Sequence, residues 1–310
     1  MSSLKGRDIL TLKNYSQDDI YQLLSKAIEL KKQQKNRLPH RYLEGKTMAM
    51  VFHKPSSRTR VSFEVAASHL GIHPIFLKDE EIQLGKREPI KDIGRVLSGY
   101  ADAIVIRTYK QEDVEKLAEF ASIPVINALT DEYHPMQALA DLMTILEVKN
   151  RLTGLKLAYI GDGNNVAHSL LIVAGKLGIS MTVACPKGYE PNSEIVEFAV
   201  SSIRNVRQKI MVTNDPFEAA RGADIIYTDV WASMGQESER EKRVKLFRPY
   251  QVNSELMDAA KPTAIFMHCL PAHRGEEVTD EVIESKQSVV FLQSENRLHT
   301  AKAALVSLIW

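Results

Sequence analysis

KLAYIGDGNNVAHSLLIVAGKL, residues 156–177, carries the architecture in miniature. Residues 156–160 are a short apolar run of strand length. GDGNN is a turn, and Val166, Leu170, Val173 and Leu177 then recur at helical spacing. A strand, a turn and an amphipathic helix are the opening of a βαβ unit. The same alternation continues in both directions. Strands are expected at 48–52, 75–77, 103–106 and 125–127, and again at 156–160, 181–184, 210–212, 225–227, 265–267 and 289–292. Alternation of this kind calls for right-handed crossovers and mostly parallel sheets, an α/β fold in which helices flank each sheet.

Between the strands lie apolar stripes at helical spacing: Val61, Val65 and Leu70; Ile90, Ile93, Leu97 and Tyr100; Met136, Leu139, Met143 and Leu146. They are read as core. A helix over 134–148 is followed by the polar turn 149–154, so two domains are expected, 1–149 and 150–310. Leu298, Ala301, Leu305 and Leu308 share a face in 295–310, which predicts a terminal helix packing back on the first domain. Segment 233–247 is polar and aperiodic, and is read as a mobile loop. Segment 78–89 is polar as well and shows no core face of its own.

Composition narrows the function. Forty basic and thirty-nine acidic residues leave a net charge of +1, which gives no bulk attraction for nucleic acid or an anionic membrane. No run reaches the ~18 apolar residues of a membrane span, and no signal-peptide pattern opens the chain. The two cysteines, Cys185 and Cys269, are far apart without CxxC spacing. Reduced thiols in a cytoplasmic protein are expected, with neither a disulfide framework nor a metal-ligand cluster.

The strongest local signal is FHKPSSRTRVSFE, residues 52–64, between a strand and a helix. Ser56 and Ser57 suit a helix cap, and the free N–H groups of a helix start bind anions. Lys54, Arg58 and Arg60 oppose the helix dipole there, where acids are preferred. A phosphate would reconcile dipole and cations; the alternative is an exposed helix start with scattered basic residues. Arg107 ends the strand AIVIR, at the carboxyl edge where parallel sheets bind ligands. His134 opens HPMQ, and Gln137 lies one turn on, so the pair could clamp a small carbonyl or amide.

In the second half, GDGNNVAHS is not a dinucleotide fingerprint, since Val166 stands at the third glycine position. A nicotinamide cofactor is therefore disfavoured. Asp229 follows the strand IIYTDV and could hold an ammonium group, or merely cap a turn; Cys269 in HCLP follows another strand.

SSRTR, HPMQ, GDGNN, DVWASMG, HCLP and SENR occur in the order found in the ornithine carbamoyltransferases, and the chain resembles that family over essentially its whole length. HPxQ and the Ser-Thr-Arg-Thr-Arg motif are shared with other carbamoyltransferases, whereas DxxxSMG with HCLP is particular to the ornithine enzymes. One departure is Ser57, where the family carries Thr. The resemblance implies a carbamoyl-phosphate domain followed by an ornithine domain, with L-citrulline and phosphate as products and no metal or redox cofactor needed. It places Ser56, Ser57, Arg58, Thr59 and Arg107 on the phosphate, with Gln83 reaching it from a neighbouring subunit of a trimeric assembly. It places His134 and Gln137 on the carbamoyl group, joined by Arg297 from the terminal helix, and Cys269 and Leu270 where the two substrates meet. Asn165, Asp229, Ser233 and Met234 are implied to bind L-ornithine. Arg297, beside a cap at Ser294, is expected in a first helical turn. Arg58, Arg107, His134 and Cys269 are the implied catalytic set.

Overall fold

The computed structural model describes residues 3–232 and 237–310. They divide into two compact units, Met1–Met143 with Glu295–Trp310, and Thr144–Ser294.

In the first unit the chain runs α1 (Gln17–Lys35), β1 (Thr47–Phe52), α2 (Ser57–Leu70), β2 (His73–Lys78), α3 (Asp79–Ile82), α4 (Ile90–Ser98), β3 (Ala103–Arg107), α5 (Gln111–Phe120), β4 (Val125–Leu129) and α6 (Pro135–Lys149), whose residues from Thr144 onward belong to the second unit. The strands pair in parallel in the order β2-β1-β3-β4. Central β1 and β3 are buried almost throughout, which is why TMAMVF and AIVIR are continuous apolar runs rather than alternating ones. Helices α4 and α5 and the turn after α3 share a core with the sheet, made of Val51, Leu84, Ile93, Ile106 and Leu117. From β1 the chain builds to one side through β2, then returns to the other through β3. The sheet therefore has a switch point at the carboxyl ends of β1 and β3, where Phe52 lies opposite Arg107.

The second unit runs β5 (Lys156–Ile160), α7 (Asn165–Leu177), β6 (Ser180–Ala184), α8 (Ser193–Ser201), β7 (Ile210–Thr213), α9 (Pro216–Ala220), β8 (Ile225–Thr228), α10 (Arg240–Phe247), α11 (Ser254–Ala259), β9 (Ile265–His268), α12 (Asp280–Ile283) and α13 (Val290–Ile309), whose residues from Glu295 onward belong to the first unit. The parallel order β7-β6-β5-β8-β9 reverses between β5 and β8. Its switch point lies at the GDGNN turn and Asp229.

Several local expectations are corrected. Residues 289–292 do not form a strand. Val289 N–H donates to Phe266 O, and α13 then begins at Val290. Val290, Gln293, Asn296 and Arg297 are buried while Phe291 is exposed, a helical period that a four-residue apolar run cannot reveal. Ser294 is thus inside the helix, not its cap, and Arg297 stands beyond the first turn. Ala301, Leu305 and Leu308 are buried, but Leu298 only half so. Residues 240–247 of the supposed loop are helical; Arg243 and Phe247 turn inward, Val244 is half-buried and the other residues of α10 face solvent. On α2 the buried face is Phe63, Ala66, Ala67 and Leu70, whereas Val61 is exposed; Tyr100 lies past the end of α4 and is exposed too. The polar stretch 78–89 does have a core face, supplied by Leu84 with half-buried Ile82.

Candidate functional site

At the first switch point Ser56 is extended and caps α2, its hydroxyl accepting the Thr59 N–H at 3.2 Å. Ser57 is the first helical residue, and the first turn carries no acid. Arg58 is half-buried, and among the described residues its buried Nε finds no acceptor. Arg297 Nη2 donates to Thr59 Oγ1 at 2.6 Å, so α13 brings a second guanidinium to the same helix start. Arg107 is buried at the end of β3. Burial, reinforced by the charges of Arg297 and Arg107, holds the His134 imidazole well below its usual pKa, and the ring stays neutral. Gln137 is buried in the first turn of α6; its Nε2 donates to Asp141 Oδ1 at 2.8 Å, and its Oε1 has no donor among the described residues. A carboxylate can only accept, so Asp141 decides which end of that amide is left open. Phosphate-sized charge and a small carbonyl amide could thus be met by Ser56–Thr59, Arg107, Arg297, His134 and Gln137.

Two of the three cations read into this helix start are engaged elsewhere. Lys54 is buried, paired with Asp131 and lying 4.3 Å from the Tyr109 ring centre. Arg60 bonds Glu64 at 2.8 Å and stacks 3.8 Å from the Phe76 ring centre. Arg58 alone breaks the dipole rule without a local acid. Gln83 is exposed in the turn after α3, at φ +42°, on the first unit's surface.

At the second switch point Asp229, buried after β8, is held on both oxygens. Oδ1 accepts the Val230 N–H at 2.8 Å and the Cys269 thiol at 2.9 Å, while Oδ2 accepts Asn164 Nδ2 at 2.8 Å. Asn165, the next residue, opens α7 and is half-buried. Cys269 is half-buried after β9, and Leu270 follows at φ +57°. Behind them His268 Nδ1 accepts the Leu270 N–H at 2.8 Å, so the ring proton sits on Nε2, 3.1 Å from Glu277 Oε1. Ligand atoms of Asp229, His268 and Cys269 gather within 4.8 Å, which the sequence did not reveal. Both ring nitrogens of His268 are already engaged, and the trio would give up one of these bonds to take an ion. Ser233 and Met234 lie outside the described residues. No helix among the described residues is long and apolar enough to cross a membrane.

The family model for the aspartate/ornithine carbamoyltransferase carbamoyl-P binding domain matches residues 7–147, and that for the Asp/Orn binding domain matches 153–308. The chain belongs to the aspartate/ornithine carbamoyltransferase family. Within the family it is 55% identical to the ornithine carbamoyltransferase of Pyrococcus abyssi, over 99% of this chain and 97% of that one. It is 56% identical to the Anoxybacillus flavithermus enzyme of the same name, over 99% and 98%. The solved ornithine carbamoyltransferase of Pyrococcus furiosus superposes with a TM-score of 0.97 at 54% identity, covering 100% of this chain and 99% of its own. The α/β architecture expected from strand–helix alternation is that of these carbamoyltransferases.

Sequence reasoning passed over residues that the structure places in contact with the candidate groups. Asn164 and Asn165 were read as turn residues, with a side chain free to bind ligand as the alternative, yet an Asn directly before an apolar helical period is also the signature of a helix cap. Asp141 follows Gln137 by four residues on α6, the spacing at which helical side chains meet. Glu277 left no such trace, because its partner His268 lies across a turn.

Proposed function

We propose that the two clusters carry out carbamoyl transfer from carbamoyl phosphate to the side-chain amine of L-ornithine, giving L-citrulline and phosphate. The observation that carries the reading is identity above 50% over nearly the full length of several ornithine carbamoyltransferases, from Pyrococcus abyssi to Anoxybacillus flavithermus. Carbamoyl phosphate is assigned to the first unit. Ser56, Ser57, Arg58, Thr59 and Arg107 take its phosphate; His134, Gln137 and Arg297 take its carbamoyl group. The open Oε1 of Gln137 suits the carbamoyl NH2, and neutral His134 has an N–H for the carbonyl oxygen. Ornithine is assigned to the second unit, to Asn165, Asp229, Ser233 and Met234. Cys269 and Leu270 lie where the reacting amine is delivered.

Attack by the amine builds negative charge on the carbonyl oxygen, and donors already aimed at it lower the barrier. Collapse then expels phosphate, whose charge Arg58, Arg107 and the start of α2 offset. Ornithine's amine resembles that of lysine, with a pKa near ~10.4, and must lose a proton before it attacks. The Asp229–Cys269 pair, 2.9 Å apart, is the acceptor assigned to that proton. On this reading kcat/KM for ornithine rises through the mildly alkaline range. The experiment is citrulline formation from carbamoyl phosphate, with ornithine, putrescine and aspartate compared as acceptors. Preference for putrescine or aspartate would overturn the assignment of the second unit.

The assembly is assigned as a trimer, or a multiple of trimers, in the cytoplasm. In each, Gln83 completes a neighbour's phosphate site. Its support is the exposed position of Gln83 and an open cavity of about 620 Å³ beside Ser56 and Ser57, bordered by Arg60 and Lys78.

A further inference from the structure

We propose that Asn164 is a positioning residue that sets the orientation of the Asp229 carboxylate and so determines how well ornithine's amine is bound and used. The inference rests on the assignment of Asp229 to ornithine. An asparagine amide can be turned either way, but its neighbours leave no choice here. Oδ1 faces three donors: Val166 N–H at 3.0 Å, Ala167 N–H at 3.2 Å and the Tyr159 hydroxyl at 3.0 Å. Only the oxygen can accept from these, so Nδ2 is the end that meets Asp229 Oδ2 at 2.8 Å. Burial pushes the Tyr159 phenol well above its usual pKa, which keeps that donor protonated.

The consequence falls on Asp229. Rotation of a carboxyl group about its last bond is soft, and a carboxylate offers about four acceptor directions. Val230 N–H and Cys269 Sγ occupy Oδ1, and Asn164 occupies one side of Oδ2. A defined direction on Oδ2 is left for a cation. Because the same amide caps α7, the donor that orients Asp229 is anchored to the helix start and to buried Tyr159. Asn164 adds no net charge, so it stiffens the carboxylate without competing with the ammonium for it.

Cap and positioning can be separated by substitution. Ser and Asp cap about as well as Asn, yet Asp has no donor to offer Asp229, and Ser has a single oxygen one bond short of the amide's two arms, so neither spans the cap and the carboxylate together. Asn164→Ser is expected to stay near the wild-type unfolding midpoint, whereas Asn164→Ala lowers it by losing the cap and Asn164→Asp lowers it by repulsion from Asp229. Both capping variants should lose about ten- to a hundred-fold in kcat/KM for ornithine, the size of one hydrogen bond to a charged group. Asn164→Asp should lose more, since it sets a second carboxylate against Oδ2. KM for carbamoyl phosphate should stay within about twofold, far below the loss of one such bond. Unchanged ornithine kinetics in both variants overturn the proposal, as does an equal loss for the two substrates. Asp229→Asn run beside them tells the failures apart. If it impairs ornithine use while the Asn164 variants do not, only the positioning role falls. If it too leaves ornithine use intact, the assignment of Asp229 falls, and the positioning role with it.

Discussion

Arg58 and Arg60 sit two residues apart and differ in what holds them. Arg60 spends its charge on Glu64 and its plane on Phe76, whereas Arg58 is half-buried with an Nε that no acceptor meets among the described residues. Removing a donor aimed at transition-state charge costs ~10²–10³ in rate. Arg58→Ala should therefore lose at least that much in kcat/KM and keep its unfolding midpoint, since no ion pair among the described residues is broken. Arg60→Ala should stay within a few-fold in rate and lose under ~1 kcal/mol of stability, as partly exposed pairs do. Steady-state kinetics and urea denaturation check both, and a near-wild-type rate for Arg58→Ala removes the phosphate assignment. His134 makes a different prediction. Its folded pKa lies well below the ordinary value near ~6.5, because of burial first and the two arginines second. Below pH ~6.5 the unfolded chain takes up a proton that the folded one refuses, so stability falls as pH falls. His134→Asn should lose less stability than wild type between pH 7.5 and 5.5, measured as the shift in urea midpoint. Equal shifts would mean that the imidazole is not held neutral.

At the level of elements, α10 is tied to the GDGNN turn by one side chain. Arg243 is buried and donates to Asp162 Oδ2 at 3.0 Å and to Trp231 O at 2.9 Å, with its guanidinium 4.8 Å from the Tyr189 ring centre. Burial pushes Asp162 up to about 6 in spite of this partner. Arg243→Ala leaves a buried carboxylate unpaired, which typically costs ~3–5 kcal/mol. That cost is present while Asp162 is charged and is relieved as it takes a proton. The variant's stability deficit should hence be larger at pH 8 than at pH 5; a deficit independent of pH would assign the loss to packing instead. The helix behind this prediction was missed in the sequence, because REKRVKLF has a polar surface broken inward only at Arg243 and Phe247. The strands fared better, since β1, β3, β5 and β8 are buried on both faces and read as unbroken apolar runs. Residues 289–292 looked the same for a different reason: a single turn of buried helix carries no period. Site residues followed a similar division. Arg107 and Asp229 could be placed because strand ends are visible in the sequence. The engagement of Lys54 could not, as Asp131 lies far along the chain and only the folded sheet brings it near.

For the whole molecule the open question is whether one chain is enough. Gln83 is held by its backbone: its carbonyl accepts the N–H groups of Lys86 and Arg87, at 2.8 and 3.1 Å, and its φ of +42° is uncommon for a residue other than glycine. Its side chain makes no hydrogen bond within the chain among the described residues. Buried Leu84 and half-buried Ile82 flank it and fasten the turn to the core of the first unit. A turn anchored on both sides that presents an amide to solvent suits the role proposed for Gln83 in a neighbour's site. If that partner is the phosphate site of a second copy, an altered Gln83 inactivates a neighbour's site while its own chain still supplies Cys269. An altered Cys269 does the opposite. Gln83→Ala and Cys269→Ala should each be nearly inactive as pure assemblies. After subunit exchange in equal amounts, sites that pair an intact Gln83 with an intact Cys269 form again. Counting random pairings, about one site in four is then whole, so activity should climb from near zero towards a quarter of wild type. Exchange has to be followed independently, for example with one variant carrying a charge tag resolved by native electrophoresis. Verified mixed assemblies that remain inactive would mean that every site is completed by its own chain, and Gln83 would lose its assigned role.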